Sequence, residues 1–212
     1  MTTAAAAKFN MIEQQIRPWE VLDSRVLSTL NLIDRADFVP PAYRGLAYAD
    51  CQIPLGGGAS MLPPTIEGRM LQSLLLEVDD HVLEVGTGSG FVSACLASLA
   101  GQVHSIDSDA AIIEFAHGNL AHYNLDNLVI EQANAFELDQ PGTYDAIAVG
   151  ASVAELPQNL KLALKIGGRM FIILGHSPVM QALLISRVSE NEWITRSLFE
   201  TDLPRLHRAA SQ

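Results

Sequence analysis

Residues 82–91 read Val82-Leu83-Glu84-Val85-Gly86-Thr87-Gly88-Ser89-Gly90-Phe91, an apolar run that ends in alternating glycines and opens directly into a helical pattern. Such a run, bounded by glycine, predicts a buried strand over 82–85 followed by a tight turn and a helix from Phe91. Glycines at 86, 88 and 90 let the backbone turn sharply and let a ligand lie against it, while the helix start offers N–H groups without intrahelical partners. A nucleotide-like ligand suits that combination. The spacing is GxGxG, whereas the dinucleotide fingerprint is GxGxxG, which argues against a nicotinamide or flavin enzyme. Glu84 argues the same way, because a carboxylate ahead of the first glycine suits a cationic amino group better than a pyrophosphate.

Outward from this stretch, four more short apolar runs follow at 103–106, 128–131, 146–149 and 169–174. Helical patterns separate them at 91–99, 110–123 and 157–164, with another helix ahead of the first strand at 65–77. Alternation of strand and helix predicts an α/β fold with a doubly wound, mostly parallel, Rossmann-like sheet covered on both faces. Two further runs at 182–188 and 193–199 flank Ser189-Glu190-Asn191-Glu192 and predict a C-terminal antiparallel hairpin on the sheet edge. Before the sheet, residues 8–47 read as a helical appendage in which Asp23 caps a helix carrying Val26, Leu27 and Leu30 on one face. Residues 49–64 change character, since Pro54, Gly56, Gly57, Gly58, Pro63 and Pro64 suppress regular structure and let backbone approach a ligand. The expected organisation is one structural domain, with N-terminal helices and a loop over 1–64 and the ligand-binding core over 65–212.

Composition bounds the rest. With 212 residues, 49% hydrophobic and 17% charged, the chain has enough apolar material for one globular core. A net charge of −11 repels phosphates and anionic membrane surfaces, so neither nucleic acid nor a membrane is expected as partner. The apolar runs are too short to span a bilayer, and the cytoplasm is the expected location, as a monomer or weak homodimer. Cys51 and Cys95 are too few for a disulfide framework and read as reduced. The scattered histidines share no metal-site spacing, so no metal is expected.

Three further places sit at the carboxyl edge predicted for the sheet, where open α/β folds bind ligands. Asp107, directly after the second strand, suits the two ribose hydroxyls of an adenosine, or caps the helix from Ala110, a task Asp109 suits as well. After the third strand comes Ala133-Asn134-Ala135, where Asn134 offers an amide to an adenine rim or simply favours a turn. After the fourth, Gly150-Ala151-Ser152 is a run of small residues, read as a channel wall or a short connection.

Taken in order, Met11-Ile12-Glu13-Gln14-Gln15-Ile16-Arg17, Phe38-Val39-Pro40, Ala47-Tyr48-Ala49-Asp50, Pro54-Leu55-Gly56, Arg69-Met70, the 82–90 stretch, Tyr144-Asp145-Ala146-Ile147 and Gly167-Gly168-Arg169 resemble the protein-L-isoaspartate O-methyltransferase family of class I methyltransferases. The resemblance spans nearly the whole chain. It implies S-adenosyl-L-methionine as cofactor, held by Glu84, Gly86, Thr87, Gly88, Gly90 and Asp107, with Asn134 and Ala135 near the adenine. It implies methyl transfer to the free carboxylate of an altered aspartate in a damaged protein or peptide. Three places depart from the family pattern. Ser60-Met61-Leu62 stands where the family carries Thr-Ile-Ser, so Leu62 occupies the active-site serine's position and Ser60 is the nearest hydroxyl. Ala133-Asn134-Ala135 replaces Gly-Asp-Gly, and Arg205-Leu206 replaces a hydrophobic residue and Thr after Pro204. These departures cluster on the acceptor side and leave open a more apolar, small-molecule acceptor, or a module that binds the cofactor without turnover.

Overall fold

The computed structural model describes residues 3–206. Its N-terminal segment, 3–46, is helical, as the pattern predicts. Helix α1 (Thr3–Asn10) runs into a wider π-helical turn, Met11–Ile16, that buries Met11, Ile12 and Ile16. Helix α2 (Ser24–Leu32) starts where Asp23 accepts a hydrogen bond from the Arg25 N–H at 2.8 Å, and its buried face carries Val26, Leu27 and Leu30. A side-chain acceptor at that position satisfies an N–H the helix itself cannot.

The 49–64 segment is more regular than its glycines and prolines suggest. Strands β1 (Ile53–Gly56) and β2 (Ala59–Met61) form a small antiparallel hairpin with Ile53 opposite Met61. Gly56, Gly57 and Gly58 all have positive φ, so they build its turn and do not abolish the strands on either side. Helix α3 (Pro64–Ser73) follows, four residues shorter at its C-terminus than the 65–77 reading. It stops because Leu75 adopts a left-handed φ of 46° and the guanidinium of Arg169 takes the carbonyls of Leu74 and Leu75, ending the helical ladder.

The main sheet comprises β3 (His81–Val85), β4 (Gln102–Asp107), β5 (Leu128–Gln132), β6 (Tyr144–Val153), β7 (Leu164–His176), β8 (Val179–Arg187) and β9 (Trp193–Thr201). Their spatial order is β5-β4-β3-β6-β7-β8-β9. The five strands from β5 to β7 are parallel, while β8 and β9 join antiparallel, which is the predicted C-terminal hairpin extended from β7. Helices α4 (Phe91–Leu99) and α5 (Ala110–Leu120) connect the strands to one side of β3, and α6 (Gln158–Ala163) connects β6 to β7. Residues of α2, α3, α4 and α5 share one apolar cluster with Phe38, Phe91 and Phe171, whereas α6 contributes Leu160 and Ala163 to a second with Tyr144, Ile147 and Ile172. Both faces are therefore covered. Connections run in opposite directions from β3 and β6, so the sheet has its topological switch point between these two strands, where such sheets open a crevice.

Gly150-Ala151-Ser152 is not a connection after the fourth strand but part of β6, whose pairing with β7 shifts register between Ala148 and Ser152. Small residues tolerate this irregularity because the neighbouring backbone comes close: a Cβ on Gly150 would lie 3.2 Å from the Gly86 carbonyl oxygen.

Candidate active site

The loop after β3 is built by backbone contacts before any side chain takes part. The N–H groups of Gly86 and Thr87 both donate to the Ile106 carbonyl, at 2.8 and 3.2 Å, tying the loop to the end of β4. Gly86, Gly88 and Gly90 have φ of 90°, 55° and 84°, conformations that a side chain would strain. Gly90 is further constrained by packing, because a Cβ there would meet Leu120 Cδ1 at 2.9 Å. Thr87 is buried with its hydroxyl 2.8 Å from that of Ser105, so its side chain anchors the loop from beneath.

Glu84 lies under the same loop and is only 1% exposed. Its carboxylate accepts from Ser105 Oγ at 2.5 Å and from Ser93 Oγ. Burial pushes its pKa up to about 8, with the two serine hydroxyls opposing that rise. Asp107 is different. It lines the open cleft, its Oδ2 accepts from the Gly88 N–H at 3.3 Å, and its Oδ1 accepts from the Asp109 N–H at 3.1 Å. The cap of α5 is Asp109, which accepts from the Ala111 N–H at 2.8 Å. The two readings of Asp107 are thereby separated.

A cleft of about 650 Å³ runs along this carboxyl edge. On one side lie Gly86, Gly88, Asp107 and Ser108, on another Ala133 and Ala135, with Gly150 and Ala151 of β6 as floor. Asn134 does not line it. Its Oδ1 accepts from the Phe136 N–H at 3.1 Å and its Nδ2 donates to Glu137 at 2.8 Å, so the amide caps a short turn at 135–137. The β1–β2 hairpin covers the cleft through Gly58, Ala59, Ser60 and Leu62. Ser60 is partly exposed, with its hydroxyl 3.5 Å from Gln52 Oε1, at the outer limit of a hydrogen bond. Leu62 is buried in the apolar cluster, borders the cleft, and also lines a smaller cavity of about 360 Å³ that reaches Glu84.

Two features of this site carry no local sequence signal. Arg35, wholly buried, donates Nε to Glu67 at 2.9 Å, Nη1 to the Ala47 carbonyl at 2.7 Å and Nη2 to the Leu62 carbonyl at 2.6 Å. It fixes the backbone of the acceptor-side hairpin to α3, and Glu67 keeps a raised pKa from burial that the guanidinium only partly offsets. The second is a strap, residues 203–206, laid beside β6. Ser152 holds it: its hydroxyl donates to the Leu203 carbonyl at 2.9 Å, its N–H donates to the Pro204 carbonyl at 2.9 Å, and its carbonyl accepts from the Leu206 N–H at 2.8 Å. The strap brings Pro204, Arg205 and Leu206 to the cleft wall. Among the described residues no group of three or more His, Cys, Asp or Glu is placed to hold a metal, and no helix is long and apolar enough to cross a membrane.

Comparison with known proteins agrees with this geometry. Residues 6–201 match the family model described as protein-L-isoaspartate(D-aspartate) O-methyltransferase. The chain is 36% identical to protein-L-isoaspartate O-methyltransferase 1 of Rhodopseudomonas palustris over 90% of this chain and 79% of that protein. To the protein-L-isoaspartate O-methyltransferase of Koribacter versatilis it is 37% identical, over 88% and 84%. In fold it resembles a Plasmodium falciparum protein-L-isoaspartate O-methyltransferase crystallised with S-adenosyl-L-homocysteine, with a TM-score of 0.81 at 20% identity over 98% and 99% of the two chains. With a family model covering most of its length and relatives above one-third identity, the chain belongs to the protein-L-isoaspartate(D-aspartate) O-methyltransferase family.

Proposed function

We propose that this chain methylates the free carboxylate of altered aspartyl residues in damaged protein or peptide, using S-adenosyl-L-methionine. The observation that carries the reading is the cleft at the switch point, which joins a glycine loop at the N-terminus of α4 to the oriented carboxylate of Asp107. The cofactor fits this donor set. Asp107 would accept from the ribose hydroxyls, Gly86, Gly88 and Gly90 would let backbone approach the amino-acid arm, and Ala133 and Ala135 would flank the adenine. Asn134 would act by holding the 135–137 turn, and Thr87 by pinning the loop, each one contact removed from the ligand. Glu84 would set the electrostatics beneath the loop through the cavity it shares with Leu62.

When bound, the cofactor supplies an electrophilic methyl group on a sulfonium. An acceptor carboxylate is already anionic, so it would need no proton removed before it accepted that group. A general base is therefore unnecessary, and no His, Lys, Cys or Tyr lines the cleft among the described residues. What the protein contributes is alignment and exclusion of water, for which the buried Leu62, Val85 and Ile106 and the hairpin over the cleft are suited. Ser60 stays on the acceptor side as the nearest hydroxyl, while Leu62, at the position of the family serine, contributes surface and no hydrogen bond. The net charge of −11 supports a protein or peptide acceptor over nucleic acid.

The test is methyl transfer from labelled S-adenosyl-L-methionine to an isoaspartyl peptide, run beside the same peptide with normal aspartate. Selective labelling of the isoaspartyl peptide is the expected result. Tight cofactor binding with no labelling would refute this acceptor. Leu62 favours one second reading, a smaller and more apolar carboxylate or hydroxyl acceptor, and labelling of such compounds in its place would establish it.

A further inference from the structure

The cleft is lined by one cation, Arg205, and one anion, Asp107, among the described residues. The two are not ion-paired, and no Asp or Glu lies within salt-bridge distance of Arg205 among those residues. The Nη1 of Arg205 is buried and has no hydrogen-bond partner there. A guanidinium cannot shed its charge, so a buried N–H left unpaired is a standing free-energy penalty, which pairing with an acceptor would remove once the side chain turned toward the cleft it lines. Its planar fork of donors matches a carboxylate in particular. The backbone on both sides is fixed, since Arg205 sits opposite Ser152 in a parallel bridge and Ser152 bonds the flanking residues. The backbone that carries the guanidinium is therefore a fixed support and not a loose tail. It faces a cleft where Leu62 has removed the other side-chain hydrogen bond expected on the acceptor side.

We infer that Arg205 is the carboxylate-binding residue of this cleft, supplying from the C-terminal strap the anion recognition that the hairpin lacks. The inference rests on the methyltransferase reading for the identity of the carboxylate, which is either that of the isoaspartyl acceptor or that of the cofactor's amino-acid arm. Arg205 binds and orients the carboxylate through its fork, and each oxygen keeps a further lone pair, so the role is compatible with ester formation at an acceptor.

Binding measurements separate the sources without relying on turnover. Protein loaded with S-adenosyl-L-homocysteine is titrated calorimetrically with an isoaspartyl peptide and with the same peptide bearing a carboxamide in place of the free carboxylate. In parallel, the unloaded protein is titrated with S-adenosyl-L-homocysteine and with its carboxamide analogue. The unaltered chain is expected to prefer one free carboxylate by about 10–100-fold, the effect of a charge-assisted hydrogen bond. Arg205→Gln should abolish that preference, and Arg205→Lys, which keeps the charge without the fork, should restore part of it. Loss of the peptide preference places the acceptor carboxylate on Arg205; loss of the cofactor preference places the cofactor carboxylate there. If both preferences survive in a folded Arg205→Gln protein, or remain undiminished in Arg205→Lys, the inference is wrong. Absence of turnover in the unaltered chain would instead count against the acceptor reading alone, because the cofactor titration still reports on Arg205.

Discussion

At Asp107 a single carboxylate is oriented by two backbone N–H groups, those of Gly88 and Asp109, before a ligand arrives. Replacing it with Ala should weaken cofactor binding by about 10–100-fold, as expected for lost hydrogen bonds to a charged acceptor, with little change in melting temperature; calorimetric titration and thermal unfolding measure both. Glu84 behaves in the opposite way, because its surroundings resist its ionisation. Its folded pKa of about 8 lies above the ordinary carboxylate value, so the unfolded chain loses this proton first as pH rises. Its contribution to stability is greatest at acidic pH and declines from the ordinary Glu range up to about pH 8. Glu84→Gln should flatten that part of the stability–pH curve, read from denaturant unfolding at several pH values. Asp107 was legible in the sequence as a carboxylate directly after a strand. Whether it faces a ligand or caps the next helix was left open, because Asp107 and Asp109 are both acidic residues beside a helix start and only the turn geometry separates their tasks.

Among the elements, the glycine loop and α4 were legible because positive φ and close packing leave glycine as the residue that fits. Gly90→Ala should destabilise the fold by roughly 1–3 kcal/mol through strain and overpacking against Leu120, measured by chemical unfolding. The β1–β2 hairpin was not legible. Its strands are only four and three residues long, and prolines and glycines outweigh their apolar positions. What holds this hairpin in place lies elsewhere in the chain, in the buried Arg35–Glu67 pair and the Leu62 carbonyl. Arg35→Met would leave Glu67 buried without its cation, a loss of about 3–5 kcal/mol for a broken buried pair. The double replacement Arg35→Met with Glu67→Leu should recover much of the stability while leaving the hairpin free of its anchor, so cofactor affinity and melting temperature would part company.

Over the whole molecule, strand and helix alternation gave the layers, but the position of the switch point emerged only from the spatial order of the strands. The 150–152 run escaped for a related reason, since a register shift inside a strand depends on its neighbours and not on its own composition. The resemblance placed Arg205-Leu206 on the acceptor side, but the attachment of the 203–206 strap to β6 escaped because its partner, Ser152, lies far back in sequence and Ser–carbonyl contacts leave no periodicity. Ser152→Ala removes the hydroxyl contact but keeps the backbone bonds, so the expected stability loss is about 1 kcal/mol, accompanied by faster cofactor dissociation in stopped-flow.

The strap also sets an order of assembly. As the chain leaves the ribosome, the glycine loop, Asp107 and the hairpin are all synthesised well before residues 203–206, yet the cleft wall is incomplete until that segment seats beside β6. A nascent chain can thus form its sheet and its glycine loop while its ligand groove still lies open on one side. Ligand retention becomes a report on synthesis through Leu206, and a product cut after Thr201 would retain every strand of the sheet while lacking the wall that closes it.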